Sequence, residues 1–334
     1  MRNLNQIINV CCFFLLWLPL YGHAQQLTIV ELNAENVFDT QHDSLKNDLE
    51  WLPESPRHWT RRKYWDKLNH LGQEIIACGE TEDGWSLPDL VALCEIENDT
   101  TMRDLTKRSL LRKAQYEYVM TCSPDERGID VALLYSPFSF APVAVRSLRI
   151  EPMPEMRKTR DILYVSGRIV TGDTLHVFVL HAPSRYGGER ATRPFRLHVM
   201  NRLCAAIDSI HVTSPLAKMI VLGDFNDTAD DVAPQLLLQH GMVNVSKHAQ
   251  GHHGAKGTYK YKGTWESIDQ IFISEEWATQ PHDCQLFDAP FLLEEDDKYG
   301  GVMPRRNYIG MRYNKGFSDH LPLVLRIFLG RLGD

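Results

Sequence analysis

Short apolar runs alternate with amphipathic stretches from residue 27 almost to the end of the chain, and the runs have the length of strands rather than of helices. Residues 27–32, 90–94, 131–135, 162–169, 175–180, 219–222, 271–273 and 321–328 read as strands, most of them apolar at both parities, as strands covered on both faces are. The turn Thr171-Gly172-Asp173-Thr174 makes a hairpin of residues 162–180. Tyr64, Trp65, Leu68, Leu71, Ile75 and Ile76 fall at helical spacing and predict a helix over 63–78. Phe195, Val199, Leu203, Ala206 and Ile210 predict another over 194–210, with Pro194 in its first turn, and a short one follows over 233–240. The polar, aromatic-rich residues 39–62 read as an ordered surface excursion, and His252 and His253 as part of a mobile loop. No repeat, low-complexity tract or linker interrupts the alternation, so residues 25–334 read as one α/β domain.

The chemistry lies where the runs stop. The run at 219–222 ends in Gly223, Asp224, Asn226 and Asp227; residues 90–94 hand over to Glu95, residues 175–180 to His181, and Asn33 follows residues 27–32. Asp269 and the pair Asp319-His320 instead stand before strands. If the two groups belong to antiparallel neighbours, all of them reach one rim of the core. Side-chain alternation also lets Asp224 and Asn226, two apart, face one ligand. Singly, each has a plainer reading. Asn33 is a turn former, Gly-Asp-Asn a polar turn, Arg127 a solvated arginine, and Glu97 an exposed acid or part of a helix cap beside Asn98. Together, three or more carboxylates, an amide and two imidazoles on one rim point to a hard cation and a phosphate, with Mg²⁺ preferred to Mn²⁺ or Ca²⁺. Arg127 and Arg185, the latter in a loop with Gly187 and Gly188, are candidate phosphate contacts.

Residues 1–24 have the form of an export signal: Arg2, an apolar run over 7–20, and Gly22-His23-Ala24 at the cleavage positions. The run is shorter than the roughly 20 residues of a membrane span, and an uncleaved anchor is the weaker alternative. A periplasmic or extracellular address is expected, with no stable membrane span in the mature chain and a monomer as the working state. The net charge of −7 argues against coating nucleic acid by bulk electrostatics but leaves room for a nuclease with a local basic patch. Beyond residue 24 the cysteines are Cys78, Cys94, Cys122, Cys204 and Cys284; their odd number and wide spacing predict mainly buried thiols.

Asn33 in LNAENVF, Glu95 in LCEIEN, His181 in HAPSRYGG, Asp224 and Asn226 in GDFND, Asp269 in SIDQIFIS, and Asp319-His320 in SDHLP together resemble the endonuclease/exonuclease/phosphatase superfamily. The resemblance covers nearly the whole mature chain, in the family's order. It implies a deoxyribonuclease-I-like fold, a four-layer α/β sandwich of two packed mixed β-sheets flanked by helices, and a metal-dependent phosphoesterase. Asn33, Glu95 and Asp319 would then hold the divalent ion, Asp269 and His320 form an acid–imidazole pair, Asp224 compete with His320 as general base, Asn226 donate to phosphate oxygens, and His181 act as the second imidazole. One metal or two is left open. Nuclease activity leads on the strength of the resemblance. A phosphatase, or a phospholipase- or sphingomyelinase-like phosphodiesterase, is the alternative, because residues 292–316 mix the acidic run 294–297 with Arg305, Arg306, Tyr299, Tyr308 and Tyr313, suited to a sugar phosphate, a lipid headgroup or a nucleotide. A non-catalytic binding protein on the same scaffold would be expected to lack some site residues, and all are present.

Overall fold

The computed structural model describes residues 25–81 and 84–329; the expected export signal lies outside them. Along the chain, strand β1 (Gln25–Val37) leads to helix α1 (Arg61–Ala77), strand β2 (Leu90–Ile96), helix α2 (Asp99–Lys107) and strands β3 (Glu117–Met120), β4 (Asp130–Tyr135), β5 (Phe140–Leu148), β6 (Ile162–Ile169) and β7 (Thr174–His181). Helix α3 (Glu189–Thr213), strand β8 (Lys218–Asp224), helix α4 (Val232–Gln239) and strands β9 (Met242–Asn244), β10 (Asp269–Ser274), β11 (His282–Leu286) and β12 (Leu323–Leu329) follow, with short hairpins between β9 and β12.

The strands form two six-stranded mixed sheets, ordered β11-β12-β1-β2-β4-β3 and β9-β10-β8-β7-β6-β5. Each holds a parallel pair at its centre, β1 with β2 and β7 with β8, flanked by antiparallel partners. The sheets pack face to face through Leu27, Ile29, Ala92 and Leu133 on one side and Val165, Val179, Leu222 and Ile271 on the other. The outer face of the first sheet packs on α1 and α2 through Val30, Leu93, Leu68, Leu71 and Met102. That of the second packs on α3 and α4 through Phe178, Val221, Val199, Leu203 and Leu237. This is the four-layer arrangement, and it explains the apolar runs: a strand with a sheet on one face and helices on the other has no wet side. Among the described residues no helix is long and apolar enough to cross a membrane.

Several expectations need correction. Helix α3 begins at Glu189, so Pro194 stands inside it rather than in its first turn. Residues 39–62 are no surface excursion at their aromatics: Trp51 and Trp59 are buried, packed edge-on against each other at 5.4 Å, with Tyr308 completing the cluster. Glu97 is buried, accepts the Asp39 amide at 2.6 Å, and is pushed up to about 8 by burial. Asn98 alone caps α2, accepting from the Thr101 amide. The His252-His253 loop is tied down by Asp288, whose carboxylate accepts the amides of both histidines and of Ala255. Cys122 is exposed, while Cys78, Cys94 and Cys204 are buried.

Gly223 is required by the sheet itself. It pairs with Leu180 at a φ of 142°, and a β-carbon there would lie 1.9 Å from the Leu180 carbonyl oxygen. Gly223→Ala is therefore expected to cost about 3 kcal/mol or more and to lower the melting temperature by roughly 5 °C, measured by calorimetry. An unchanged melting temperature would mean the strand pairing is looser than drawn.

Candidate active site

Parallel pairing sends β1 and β2, and likewise β7 and β8, to a common rim with their C-terminal ends, and the antiparallel β10 and β12 arrive there with their starts. Register then sets the neighbours. Asp224 lies opposite His181 on one side and Asp269 on the other. Asn33 shares the inward phase of Leu27 and Ile29, so its amide faces the second sheet and donates to Asp224 Oδ2 at 3.0 Å. His181 Nε2 lies 3.3 Å from the same oxygen, and the Asn226 amide nitrogen of the backbone donates to Asp224 Oδ1 at 2.8 Å. Asp269 Oδ2 bonds His320 Nδ1 at 2.7 Å. The ring of Tyr259 packs on His320 with centroids 4.8 Å apart. Ser318 ties the two halves together, donating through Oγ to the Asn33 carbonyl at 2.6 Å and accepting from the His320 amide.

The backbone is bent to make this rim. Glu35, Asn36, Glu95 and Asn226 all adopt left-handed φ values, and the β1–β2 register shifts between Asn33 and Val37. Such bulges turn side chains off the pleat toward the strand ends. Arg160 holds the end of β7 from behind, donating to the carbonyls of His181 and Ala182 while its Nη1 bonds Asp125 at 3.1 Å.

Burial and charge separate the titrating groups. Asp224 is raised to about 7 by burial and by the Asp269 charge. Burial alone would lower His320, but the bonded Asp269 carboxylate, helped by Asp319 and Asp224, lifts it well above the ordinary imidazole range. His181 is held well below that range by burial and by the Arg160 and Arg127 charges. The rim thus carries one imidazolium, one neutral imidazole and a carboxyl poised near neutrality.

Among the described residues, Asp224, Asp269 and His320 bring acid and imidazole donors within 4.8 Å of one another, and the metal set expected from the sequence is Asn33, Glu95 and Asp319. That set sits beside them. Glu95 Oε2 accepts the Asn36 amide at 2.8 Å, and Arg127 stands 3.6 Å from its other oxygen. Asp319 is ion-paired to Arg306. Burial would raise Asp319, and the Arg306 guanidinium outweighs it and holds the carboxyl below its usual value. Glu35 adjoins them, buried, accepting the Asn307 amide at 2.7 Å and raised to about 8 by burial and by Asp319. An all-oxygen donor set in which guanidinium groups already face two carboxylates fits a hard divalent cation.

The two candidate phosphate arginines differ. Arg185 is not free for a phosphate: Glu266 holds it at 3.0 Å, Asp231 at 3.4 Å and Asp227 at 3.8 Å, and its Nε donates to the Asn226 carbonyl. Arg127 bonds the Asn36 side chain, and its own side chain stays 45% exposed. The Asn226 side chain donates to the Ala182 carbonyl at 3.1 Å, which leaves its second amide hydrogen for a ligand. Sequence reasoning passed over Glu31, Glu35, Lys67, Arg160 and Tyr259, and named Arg306 only as part of the mixed stretch 292–316. For Lys67 a signal existed: with Glu74 it falls on the apolar stripe of α1, among Tyr64, Leu68, Leu71 and Ile75, and both are fully buried. Arg160 and Tyr259 carry no such mark.

The sequence profile of the endonuclease/exonuclease/phosphatase family matches residues 28–329. No curated protein matches the chain by sequence. Among solved structures, an endonuclease/exonuclease/phosphatase family protein from Bacteroides thetaiotaomicron is similar at 14% identity and a TM-score of 0.60, over 91% of this chain and 98% of that one. A truncated Caenorhabditis elegans TDP2 is similar at 16% and 0.56, over 91% and 97%. A Bacteroides thetaiotaomicron mannosyl-6-phosphatase is similar at 15% and 0.57, over 90% and 99%. At these identities the structural likeness establishes the fold.

The Asp269–His320 pair makes a prediction about pH. Because the folded pKa of His320 is raised, the pair stabilises the fold below the ordinary imidazole range, and that contribution fades as pH climbs through the folded pKa. Asp269→Asn should lower the His320 titration midpoint in histidine-detected NMR. It should also destabilise the protein by about 1–3 kcal/mol near neutrality and by less at alkaline pH. A midpoint unmoved by the substitution would disprove the pairing.

Proposed function

The chain belongs to the endonuclease/exonuclease/phosphatase family, whose members are metal-dependent phosphoesterases, and we propose that it hydrolyses a small phosphate ester with Asp224 as general base. The observation that carries this reading is the Asp224 carboxyl, held by Asn33 from the other sheet and titrating at about 7, beside the Asp269–His320 pair. A base of that pKa accepts a proton from water at neutral pH. The His320 imidazolium, fixed by Asp269, places positive charge where the phosphoryl oxygens gain negative charge. Asn226 adds a neutral donor there, and His181, kept neutral, donates or accepts without bringing a second charge. Asn33, Glu95 and Asp319, with Glu35 adjoining, would hold the divalent ion, Mg²⁺ by donor chemistry, which supplies Lewis acidity and counter-charge to the phosphoryl group.

The surroundings support a small ester over a duplex. Arg185, Arg306 and Lys260 are each engaged by acids, Lys260 by Asp296 at 2.7 Å, and the whole chain carries −7. A nuclease is the second reading, favoured by Tyr186 and Tyr261, exposed aromatics near the rim on which bases could stack. Its place of work is proposed to be outside the cytoplasm, periplasmic or extracellular, on the strength of residues 1–24.

Purified protein with Mg²⁺ should turn over an aryl phosphomonoester or a small phosphodiester. EDTA should stop the reaction, and His320→Ala and Asp224→Ala should each lower kcat by roughly 10²–10⁴. Nicking of plasmid DNA without turnover of either small ester would move the assignment to the nuclease. Full activity in His320→Ala would refute the site.

A further inference from the structure

We propose that Arg306 is a phosphate clamp released by the metal: it neutralises Asp319 when no divalent ion is bound, and turns to the substrate's phosphoryl oxygens when the ion takes Asp319. This rests on the phosphoesterase reading above.

The ion pair with Asp319 fixes the resting position, and it leaves donors over, for Arg306 Nε is buried with no partner. A guanidinium with unused donors beside the acid–imidazole pair suits a phosphate, whose oxygens accept two parallel hydrogen bonds. The position is also right. Tyr259 lies between the two groups, its ring on His320 and its phenol facing Arg306, so the arginine flanks the space that His320 serves.

The backbone that carries Arg306 is fixed, which confines any movement to the side chain. The Arg306 amide donates to the Pro304 carbonyl at 2.9 Å, and its carbonyl accepts from the Asn314 side chain at 3.1 Å. The Phe317 amide donates to the Arg305 carbonyl at 2.6 Å. Gly316 lies so close that a β-carbon on it would meet the Arg305 and Arg306 carbonyl oxygens at 2.0 and 2.2 Å. The side chain as a whole, by contrast, is 32% exposed.

The exchange follows from charge. Drawing the guanidinium off Asp319 with nothing in its place would strand a half-buried carboxylate among Glu35 and Glu95, so the arginine stays. A divalent ion supplies that charge and frees the arginine, and the freed guanidinium favours an anion at the site. Ion and phosphate should therefore bind cooperatively through this residue.

Calorimetry separates the steps without turnover. Arg306→Ala should bind Mn²⁺ alone several-fold more tightly than wild type, because the competitor for Asp319 is gone. The Mn²⁺-loaded variant should bind inorganic phosphate about 10- to 100-fold more weakly. Asp319→Asn should allow metal-free protein to bind phosphate that metal-free wild type does not. Arg306→Lys should restore part of the phosphate affinity. If Arg306→Ala does not fold, as judged by circular dichroism, Arg306→Gln takes its place in the same titrations. Weaker Mn²⁺ binding by the variant, or unchanged phosphate binding, would overturn the proposal and leave Arg306 a structural partner of Asp319. A wild type that couples Mn²⁺ to phosphate in this way but hydrolyses no ester would instead overturn the phosphoesterase reading and keep the exchange.

Discussion

The Asn33 amide donates to the Asp224 carboxylate across the gap between the two sheets, beside the Asp269–His320 bond that crosses the same gap, and the site depends on this joining. Each sheet presents an inner face that is apolar but for Glu31, and near the rim a polar side chain on that face can be met by a partner from the opposite sheet. Below that level the inner positions are Leu27, Ile29, Leu222 and Ile271. At the rim the same phase of β1 brings Asn33, and the same phase of β8 brings Asp224. Catalytic geometry here is sheet packing continued one step beyond its apolar limit.

That continuation gathers acid. Glu31, Glu35, Glu74, Asp224 and Asp269 are all buried, and most cannot be charged together. The protein answers in two ways. Some acids are held neutral: Glu31, unpartnered between the sheets, is raised by burial and by the charges of Asp269 and Asp224, and Glu74 rises to about 8 by burial. Others face cations brought from different elements: Lys67 from α1, Arg306 from the link between two short hairpins and His320 from the approach to β12. Lys67 is itself lowered by burial, in spite of the acids around it, and donates to the Phe317 carbonyl.

The strand ends were legible because a strand covered on both faces shows as an unbroken apolar run, and whatever stops the run stands out. Asn33, Glu95, His181 and Asp224 were marked in this way, and Asp269, Asp319 and His320 by the mirror-image rule for antiparallel neighbours. Two kinds of fact were hidden. Partners distant in sequence leave no local trace, so Trp51 and Trp59 read as surface until Tyr308 closed over them. Charges inside an apolar stripe read as noise, so Lys67 and Glu74 were passed over on a helix whose span was otherwise predicted to within two residues at its start and one at its end. Arg185 failed for a third reason. Its loop looked open to an anion, but Asp227 and Asp231 from the connection after β8 and Glu266 from a later hairpin close on it.

The same logic bears on how one scaffold serves different esters. Asn33, Asp224 and Asp269 are fixed by strand register, and His320, just ahead of β12, by its bonds to Asp269 and Ser318, so they could not be moved without disturbing the strands that carry them. The groups beside them are held by loops and short hairpins: Arg127 precedes β4, Arg306 follows a hairpin, Tyr186 stands in a connection and Tyr261 ends a short hairpin strand. Loops change without cost to the sheets. The reaction is therefore tied to the core and the choice of substrate to the rim. In this chain the rim arginines are balanced by acids, and on the proposed reading that suits a compact anion beside a protein-held divalent ion more than a long polyanion drawn in by unbalanced positive charge.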